Sequence, residues 1–406
     1  MADIGMQTLP NGKDIKLPTV LFGVLGNDEL KKTLLIYGHV DVQPANKEDG
    51  WNTDPFRLTE KDGKLYGRGS SDDKGPVIGW INALETLRRK KVTLPVNIKF
   101  CFEGMEESGS KGLEEALSAR KDTWLSDVDF TCICDTAWLG KKPCLQYGLR
   151  GICYYFITIS SSKQDLHSGD FGGVIYEPMK DLCWMLSQLT DLDGKINIEG
   201  LSEMVRPLTD EERRLYDEID FDPEEFKSNI CVPELTVKTK QEILISRWRN
   251  PSLSVHGVEG AFSGAGAKTV IPAKVVGKFS IRLVPDMDPV EVNRIVIAHL
   301  DNLWRQRGSP NHYKTTVCHS GKPWISDHCN PHYSVAAKAI KRDYTREGGA
   351  IPVTLTLQEL TGKSVLLLPF GRSDDMAHWQ NEKIEVRNFI EGTKLMATYL
   401  TELSSI

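Results

Sequence analysis

Short apolar runs alternate with helical patterns in the first third of the chain. Residues 33–38, 95–102 and 128–134 are rich in β-branched and aromatic side chains, the pattern of central strands buried on both faces. Between them, residues 76–89 carry apolar side chains at helical spacing, and residues 111–120 predict a second helix. The order strand, helix, strand, helix, strand predicts an α/β fold with a mostly parallel sheet and right-handed crossovers.

The pattern changes between about residues 148 and 321. Residues 152–160 and 273–284 resemble strands whose side chains alternate between two faces, and residues 179–189 and 290–305 are expected to be helices. This mixture of alternating strands and helices indicates an α+β unit inserted into the first fold.

The α/β pattern resumes later, at residues 353–357 and 365–369. We therefore expect one domain to be formed by residues 1–147 together with residues 322–406. The inserted domain is expected to span residues 148–321.

Composition excludes several classes of partner. The chain has 406 residues, of which 40% are hydrophobic and 26% charged, and its net charge of −6 gives no electrostatic reason to bind nucleic acid or an anionic membrane. No stretch approaches the roughly 18 apolar residues of a membrane helix. Residues 209–227 are acidic with a helical pattern and are expected to form a solvated surface element. The expected partners are small molecules or copies of the chain itself.

Cysteine usage bears on the compartment. The nine cysteines form no CxxC pair, and several, such as Cys101, lie inside apolar runs. An odd, scattered set of this kind indicates free buried thiols and a reducing compartment. The N-terminus lacks the basic and apolar regions of a signal peptide, so we expect a cytoplasmic location.

Polar side chains follow each of the first three predicted strands. His39 and Asp41 come after the first strand, Glu106 and Glu107 after the second, and Asp135 after the third. Ligands of parallel sheets bind beyond the carboxyl ends of the strands, which is where these side chains are expected to lie.

The segment 68–75 adds Asp72 and Asp73 in a glycine-rich loop ahead of a predicted helix. Two divalent cations need bridging oxygen ligands, an imidazole for each metal and a spare carboxylate that accepts a proton. The residues therefore favour a dinuclear metallohydrolase.

Each of these residues also has an ordinary structural explanation. His39 on its own is more often a hydrogen-bonded histidine at a strand end, and Asp41 a turn residue. Asp72 suits a helix N-cap, while the helix dipole favours Glu106 and Glu107 at a solvated helix start. Metal binding is favoured by the combination of these groups, each following its own apolar run.

Three further residues stay ambiguous from spacing alone. His378 is one polar-loop histidine among nine, and His167 is more often a surface loop residue. Arg282 suits an alternating strand position that faces solvent.

Five segments resemble the M20 metallopeptidases and, within them, the carnosinase branch. These segments are residues 38–44, 67–75, 103–109, 165–169 and 268–272. The resemblance runs over almost the whole chain. Residues 71–75 and 262–266 are closer to cytosolic than to secreted members of the branch.

The resemblance implies two divalent cations per chain, Mn²⁺ or Zn²⁺. One cation is held by His39, Asp72 and Asp135, and the other by Asp72, Glu107 and His378, so that Asp72 bridges them. Histidine with carboxylates suits either metal.

The resemblance also implies the catalytic roles. Glu106 is the general base and acid for a water activated by the two metals, and Asp41 orients the first histidine ligand. The inserted domain is a lid and dimer interface, and its His167 acts in the active site of the other subunit of a homodimer. The family carries a cis peptide bond after the bridging aspartate, here between Asp72 and Asp73.

The positions that match the family's substrate-binding residues are Glu106, Asp135, His167, Thr269, Arg282, His319, Glu347, Gly349, Ala350 and His378. Arg282 suits the terminal carboxylate through paired donors. Ala350 stands where the family carries a serine, so a hydroxyl is absent and substrate preference is expected to change.

Two departures concern the scaffold. Relatives have a helical segment ahead of the first catalytic strand, whereas this sequence begins just before residues 17–24. We expect exposed apolar surface as a result. The connection around residues 341–346 also looks several residues shorter than in relatives.

The favoured function is a metal-dependent dipeptidase acting on dipeptides such as Xaa-Gly. One alternative is an N-acyl-amino-acid amidohydrolase of the same superfamily. The other is a shortened, non-catalytic form that keeps the inserted domain as a dimerisation or binding module.

Overall fold

Two separate sheets organise the helices of the protein. The computed structural model describes residues 1–9, 12–140, 142–340 and 343–406. Within those residues the helices are α1 (Lys74–Arg89), α2 (Leu113–Ser118), α3 (Ser168–Phe171), α4 (Pro178–Ser187), α5 (Asp210–Glu218), α6 (Pro223–Asn229), α7 (Lys240–Trp248), α8 (Pro289–Arg307), α9 (Pro331–Ala339), α10 (Pro352–Thr361) and α11 (Val386–Leu403).

The strands of the same residues are β1 (Met6–Thr8), β2 (Asp14–Lys16), β3 (Leu21–Leu25), β4 (Thr33–His39), β5 (Thr59–Lys61), β6 (Lys64–Tyr66), β7 (Asn97–Glu103), β8 (Phe130–Ile133), β9 (Ala137–Trp138), β10 (Cys144–Leu149), β11 (Gly151–Ser160), β12 (Leu166–His167), β13 (Ser252–Glu259), β14 (Val270–Ile271), β15 (Lys274–Leu283), β16 (His312–Gly321), β17 (Trp324–Ile325), β18 (Asp343–Glu347), β19 (Val365–Leu367), β20 (Gly371–Arg372) and β21 (Lys383–Glu385).

The larger sheet has the order β17-β10-β19-β8-β4-β7-β3, with β18 paired to β10. Its central strands β19, β8, β4 and β7 run parallel to one another. The edge strand β3 is antiparallel to β7, and β10 is antiparallel to β19. All seven residues of β4 are buried, as expected of a strand covered on both faces. The predicted mostly parallel α/β fold is confirmed.

Helices cover both faces of this sheet. On one face, α1, α9 and α11 contribute Trp80, Tyr333 and Tyr399 to a core that includes Leu34 and Ile36 of β4. On the other face, α2 and α10 pack against Leu35 and Tyr37, the alternate residues of the same strand. Because neighbouring residues of β4 serve opposite faces, the strand needs a continuous apolar run.

The second sheet is antiparallel, in the order β13-β15-β11-β16. Along β11, buried residues alternate strictly with partly buried ones. The buried face packs on α4 and α8 in a core that contains Leu182, Met185 and Val296. The predicted strands and helices of the middle segment are therefore present.

The acidic segment 209–227 is helical and mostly exposed, as expected, but it is not solvated on every side. It forms α5 and α6, and Tyr216 and Ile219 are buried. Tyr216 packs edge-on against Trp248 of α7, with ring centroids 5.6 Å apart. The segment is therefore a helical surface element with one buried side, where Tyr216 makes a core contact and the partly buried Glu212 pairs with Arg249 and Arg346.

Apolar side chains are exposed beside the edge strand β3. Leu25 of β3 is 44% exposed, and Ile81 of α1 is 46% exposed. The shortened connection predicted around residues 341–346 includes residues 341 and 342, which lie outside the described residues. Among the residues described, no helix has the length and hydropathy to cross a bilayer.

Candidate metal centre

Three parallel strands bring the candidate residues to one edge of the large sheet. His39 is the last residue of β4, Glu106 and Glu107 begin a short 3₁₀ turn after β7, and Asp135 follows β8. Since these strands are parallel neighbours, their carboxyl ends meet at the same edge. The strand-end residues therefore lie together without any long excursion of the chain.

The first group of candidate ligands surrounds the imidazole of His39. Its Nε2 lies 3.1 Å from Oδ1 of Asp72 and 3.5 Å from Oδ1 of Asp135. The His39 side chain is fully buried. Asp72 reaches this position from the loop before α1, and the peptide bond between Asp72 and Asp73 is cis, in agreement with the resemblance.

The second group uses the other oxygen of Asp72. Nε2 of His378 lies 2.9 Å from Asp72 Oδ2 and 3.2 Å from Glu107 Oε2. In each group the candidate ligand atoms lie within 4.8 Å of one another. One carboxylate thus faces both groups with a different oxygen, an arrangement that suits two neighbouring cations.

Asp41 belongs to neither group of candidate ligands, but it contacts a residue of each, His39 and Glu107. Its two carboxylate oxygens accept the backbone N–H groups of Glu106 and Glu107 at 3.2 and 3.0 Å. Nδ1 of His39, the ring nitrogen that points away from Asp72, lies 3.1 Å from the backbone carbonyl oxygen of Asp41 and 3.4 Å from its Oδ1. This geometry fixes the ring and directs Nε2 toward the carboxylates.

Several carboxylates lie close together in the site, and burial and mutual repulsion shift their pKa values. Burial raises the pKa of Glu106 to about 8, and the carboxylates of Asp135 and Glu107 add to the shift. Burial likewise raises the pKa of Asp135 to about 6, with Asp72 contributing. Hydrogen bonds to Asp72 and Glu107 raise the pKa of His378 to about 10. A site with this donor set and this repulsion fits divalent cations.

Two polar residues of the site were not among those predicted from the sequence. Gln43 holds Glu107 twice, through its backbone N–H at 3.1 Å and its side-chain amide at 2.9 Å. It falls within the segment 38–44 that carries the resemblance, which was the available signal. Glu382 binds the loop of Asp72 and had no signal, because its partners are more than 300 residues away in the sequence.

A cavity of about 340 Å³ opens beside the two groups. The residues predicted from the sequence that line its wall are Asp72, Glu106, Asp135, Glu347, Gly349, Ala350 and His378. Arg247, Arg346 and Arg372 also contribute to the wall. The volume lies at the small end of the range for small-molecule sites.

Four other predicted substrate residues, His167, Thr269, Arg282 and His319, do not line this cavity. His167 is 61% exposed, and its strand β12 pairs with β14 next to Thr269. His319 stacks on Tyr154 of the second sheet, with ring centroids 5.4 Å apart. Within a single chain the site therefore contains only part of the predicted set.

Comparison with known proteins gives a consistent result. A family model described as Peptidase family M20/M25/M40 matches residues 35–402. The Cys-Gly metallodipeptidase dug1 of Schizosaccharomyces pombe is 49% identical over 100% of this chain and 86% of its own length. The human Beta-Ala-His dipeptidase is 46% identical over 100% of this chain and 81% of its own.

Solved structures agree with these sequence matches. The di-peptidase Dug1p from Saccharomyces cerevisiae superposes with a TM-score of 0.95 at 49% identity, covering 100% of this chain and 87% of that one. An M20 family metallo-carboxypeptidase from Sulfolobus solfataricus gives a TM-score of 0.84 at 28% identity, covering 96% and 88%. The similarity therefore extends over both sheets.

Proposed function

Because this chain belongs to peptidase family M20/M25/M40, we propose that it is a metal-dependent dipeptidase. The observation that carries the proposal is the pair of ligand groups that share Asp72 beside a small cavity. Relatives named as metallodipeptidases, matched over the whole chain, support the substrate class.

The chain would hold two divalent cations, Mn²⁺ or Zn²⁺. His39, Asp72 and Asp135 would bind one, and Asp72, Glu107 and His378 the other. The contacts of His39 and His378 with opposite oxygens of Asp72 support this division. When bound, the cations supply the Lewis acidity that lowers the pKa of water and polarises a carbonyl.

Glu106 would act as the general base and general acid. It lines the cavity but belongs to neither ligand group, so its carboxylate is free to accept a proton from water. The same carboxyl then delivers that proton to the leaving amine. Asp41 would hold the backbone of Glu106 and the ring of His39 in register for this step.

The dipeptide would occupy the cavity lined by Glu347, Gly349 and Ala350. Ala350 contributes no hydroxyl there, so a substrate group that the family's serine would bind loses one partner. We expect this difference to change the preference among dipeptides rather than the reaction.

The active form would be a homodimer. His167 lies off the cavity of its own chain, and its side chain is largely exposed, which supports its acting in the site of a second subunit. We propose residues 148–321 as the lid and dimerisation domain, and residues 1–147 with 322–406 as the catalytic domain. The separate antiparallel sheet and its own core support this division.

A cytoplasmic location is proposed as well. All nine cysteines are free in the structure; five of them are buried, whereas the other four are exposed, contrary to the expectation of buried thiols. Retained thiols of this kind are typical of reducing compartments.

The test measures metal content and turnover on the same preparation. Metal-free protein is reconstituted with Mn²⁺ or Zn²⁺ and assayed on Cys-Gly, β-Ala-His and N-acetyl amino acids. About two bound ions per chain with hydrolysis of dipeptides alone is the expected result. Activity confined to the acylated set would establish the amidohydrolase alternative. Fewer than about two ions with no hydrolysis of any substrate would establish the non-catalytic one.

A further inference from the structure

Two adjacent charged residues, Glu382 and Lys383, lie beneath the loops that carry Asp72 and His378. Strand β21 begins at Lys383, which is paired with Tyr66 at the end of β6. One step further, the backbone N–H of Gly67 donates to the carbonyl of Glu382 at 3.0 Å. The pairing of β21 with β6 therefore places Glu382 beside Gly67, the first residue of the loop that leads to Asp72.

The Glu382 carboxylate is fully buried and accepts five hydrogen bonds from that loop. Its donors are Arg68 Nη1 at 2.8 Å, Gly69 N at 2.9 Å, Ser71 N at 2.9 Å, Ser71 Oγ at 3.2 Å and Asp72 N at 3.1 Å. Both carboxylate oxygens are used, and the Arg68 guanidinium compensates the charge. The backbone of the loop is thus tied to one side chain as far as the shared aspartate.

Lys383 contacts the second loop, residues 371–378, which carries His378. Its side chain is 8% exposed, and Nζ lies 2.8 Å from Oδ1 of the buried Asp375. The other oxygen of Asp375 accepts the backbone N–H of Arg372 at 2.7 Å, and the Lys383 backbone N–H donates to the Asp375 carbonyl at 2.9 Å. These contacts fix the turn three residues before His378.

Successive residues of an extended chain point to opposite faces, so Glu382 and Lys383, at the start of β21, can hold two loops at once. Where the loops meet, Nε2 of His378 lies 2.9 Å from Asp72 Oδ2. We propose that Glu382 and Lys383 are positioning residues that hold these two ligand loops in register before any cation binds. This inference rests on the proposed function for the identity of the ligands, whereas the loop contacts are independent of it.

An amide in place of the Glu382 carboxylate keeps its shape but replaces one acceptor oxygen with a donor. Several of the five N–H and O–H donors then lose their partner in a buried place, which loosens the loop. Residues that orient metal ligands from outside commonly change metal affinity by about 10- to 100-fold. The same change is expected for Glu382→Gln.

The experiment compares Glu382→Gln with Asp181→Asn, a matched change far from the site. Asp181 is also a buried carboxylate with several donors, from Arg307 at 2.9 Å, Ser309 at 2.6 Å and Asn311 at 2.8 Å. Hydrogen exchange is measured on the metal-free chains, and Mn²⁺ and Zn²⁺ affinities by competition with a chromophoric chelator.

We expect Glu382→Gln to speed amide exchange in residues 67–72 and to weaken metal binding by about 10- to 100-fold. Asp181→Asn should do neither, even if both variants melt at lower temperature. Wild-type exchange at residues 67–72 in Glu382→Gln, or equal changes at that loop in both variants, would overturn the positioning role.

Three further variants cover the case in which Glu382→Gln does not fold. Glu382→Asp keeps the charge but shortens the side chain, and it should give the same local change to a smaller degree. Lys383→Met should speed exchange in residues 371–378 instead, and Lys383→Arg should restore protection there. A wild-type chain that binds no metal would reject the proposed function, while the exchange data would still decide the positioning role.

Discussion

Asp72 and His378 come from opposite ends of the sequence, yet Nε2 of His378 lies 2.9 Å from Oδ2 of Asp72. The other oxygen of the same carboxylate lies 3.1 Å from Nε2 of His39. Asp72 therefore belongs to both groups of candidate ligands, whereas His39 and His378 each belong to one.

This sharing predicts unequal effects on metal content. Asp72→Ala should leave less than about one tightly bound ion per chain, because both groups lose a ligand. His378→Ala should lose only the second ion and retain the one beside His39. Elemental analysis after dialysis against a weak chelator measures both. Equal metal content in the two variants would contradict a bridging aspartate.

A substitution of Glu106 is expected to lower turnover without lowering metal binding. Glu106→Gln keeps the size of the side chain but removes the proton acceptor, so kcat should fall by about 10² to 10⁴ while two ions remain bound. Glu107→Gln is the matched control, since the same change one residue away should lower metal content. Unchanged turnover in Glu106→Gln would reject its role as the base.

The strand-end residues could be predicted because geometry leaves little choice. An apolar run such as β4 ends where its buried faces end, so His39, Glu106 and Asp135 had to meet at one sheet edge. His378 could not be predicted in this way. It sits in a loop with left-handed backbone, with φ of 65° at His378 and 60° at Met376, and no periodicity encodes such a path.

Contacts between residues far apart in the sequence could not be predicted either. In the sequence Glu382 is one of many charged residues, and only the fold brings it to Arg68. In the acidic segment, the charged residues dominated the pattern, while the burial of Tyr216 depends on Trp248, more than 30 residues later. Contacts of this kind depend on tertiary packing, which local sequence patterns do not contain.

Acid sensitivity is expected from His332, away from the metal centre. Its ring is buried among Tyr399 and Ser364, and burial lowers its pKa to about 3. The unfolded chain takes up a proton below about pH 6.5, whereas the folded chain does not, so stability is lost as pH falls from 6.5 toward 3. At pH 5 the loss from this residue is about 2 kcal/mol relative to pH 7.

Urea unfolding of metal-free protein at pH 7 and pH 5 tests this. The decrease in the free energy of unfolding between the two pH values should be about 2 kcal/mol smaller in His332→Gln than in the wild type. Exposed His312 supplies the control, because His312→Gln should leave the decrease unchanged. An equal decrease in wild type and His332→Gln would show that other groups cause the acid sensitivity.

The homodimer proposal gives a complementation test. His167→Ala and Glu106→Gln should each be nearly inactive alone, since each removes one residue from every site. If His167 acts in the other subunit's site, a mixed dimer has one site with both residues intact, formed by Glu106 of one chain and His167 of the other. An equal mixture exchanged between subunits should therefore recover about a quarter of wild-type activity. No recovery, despite mixed dimers detected by native mass spectrometry, would place His167 in the site of its own chain or outside catalysis.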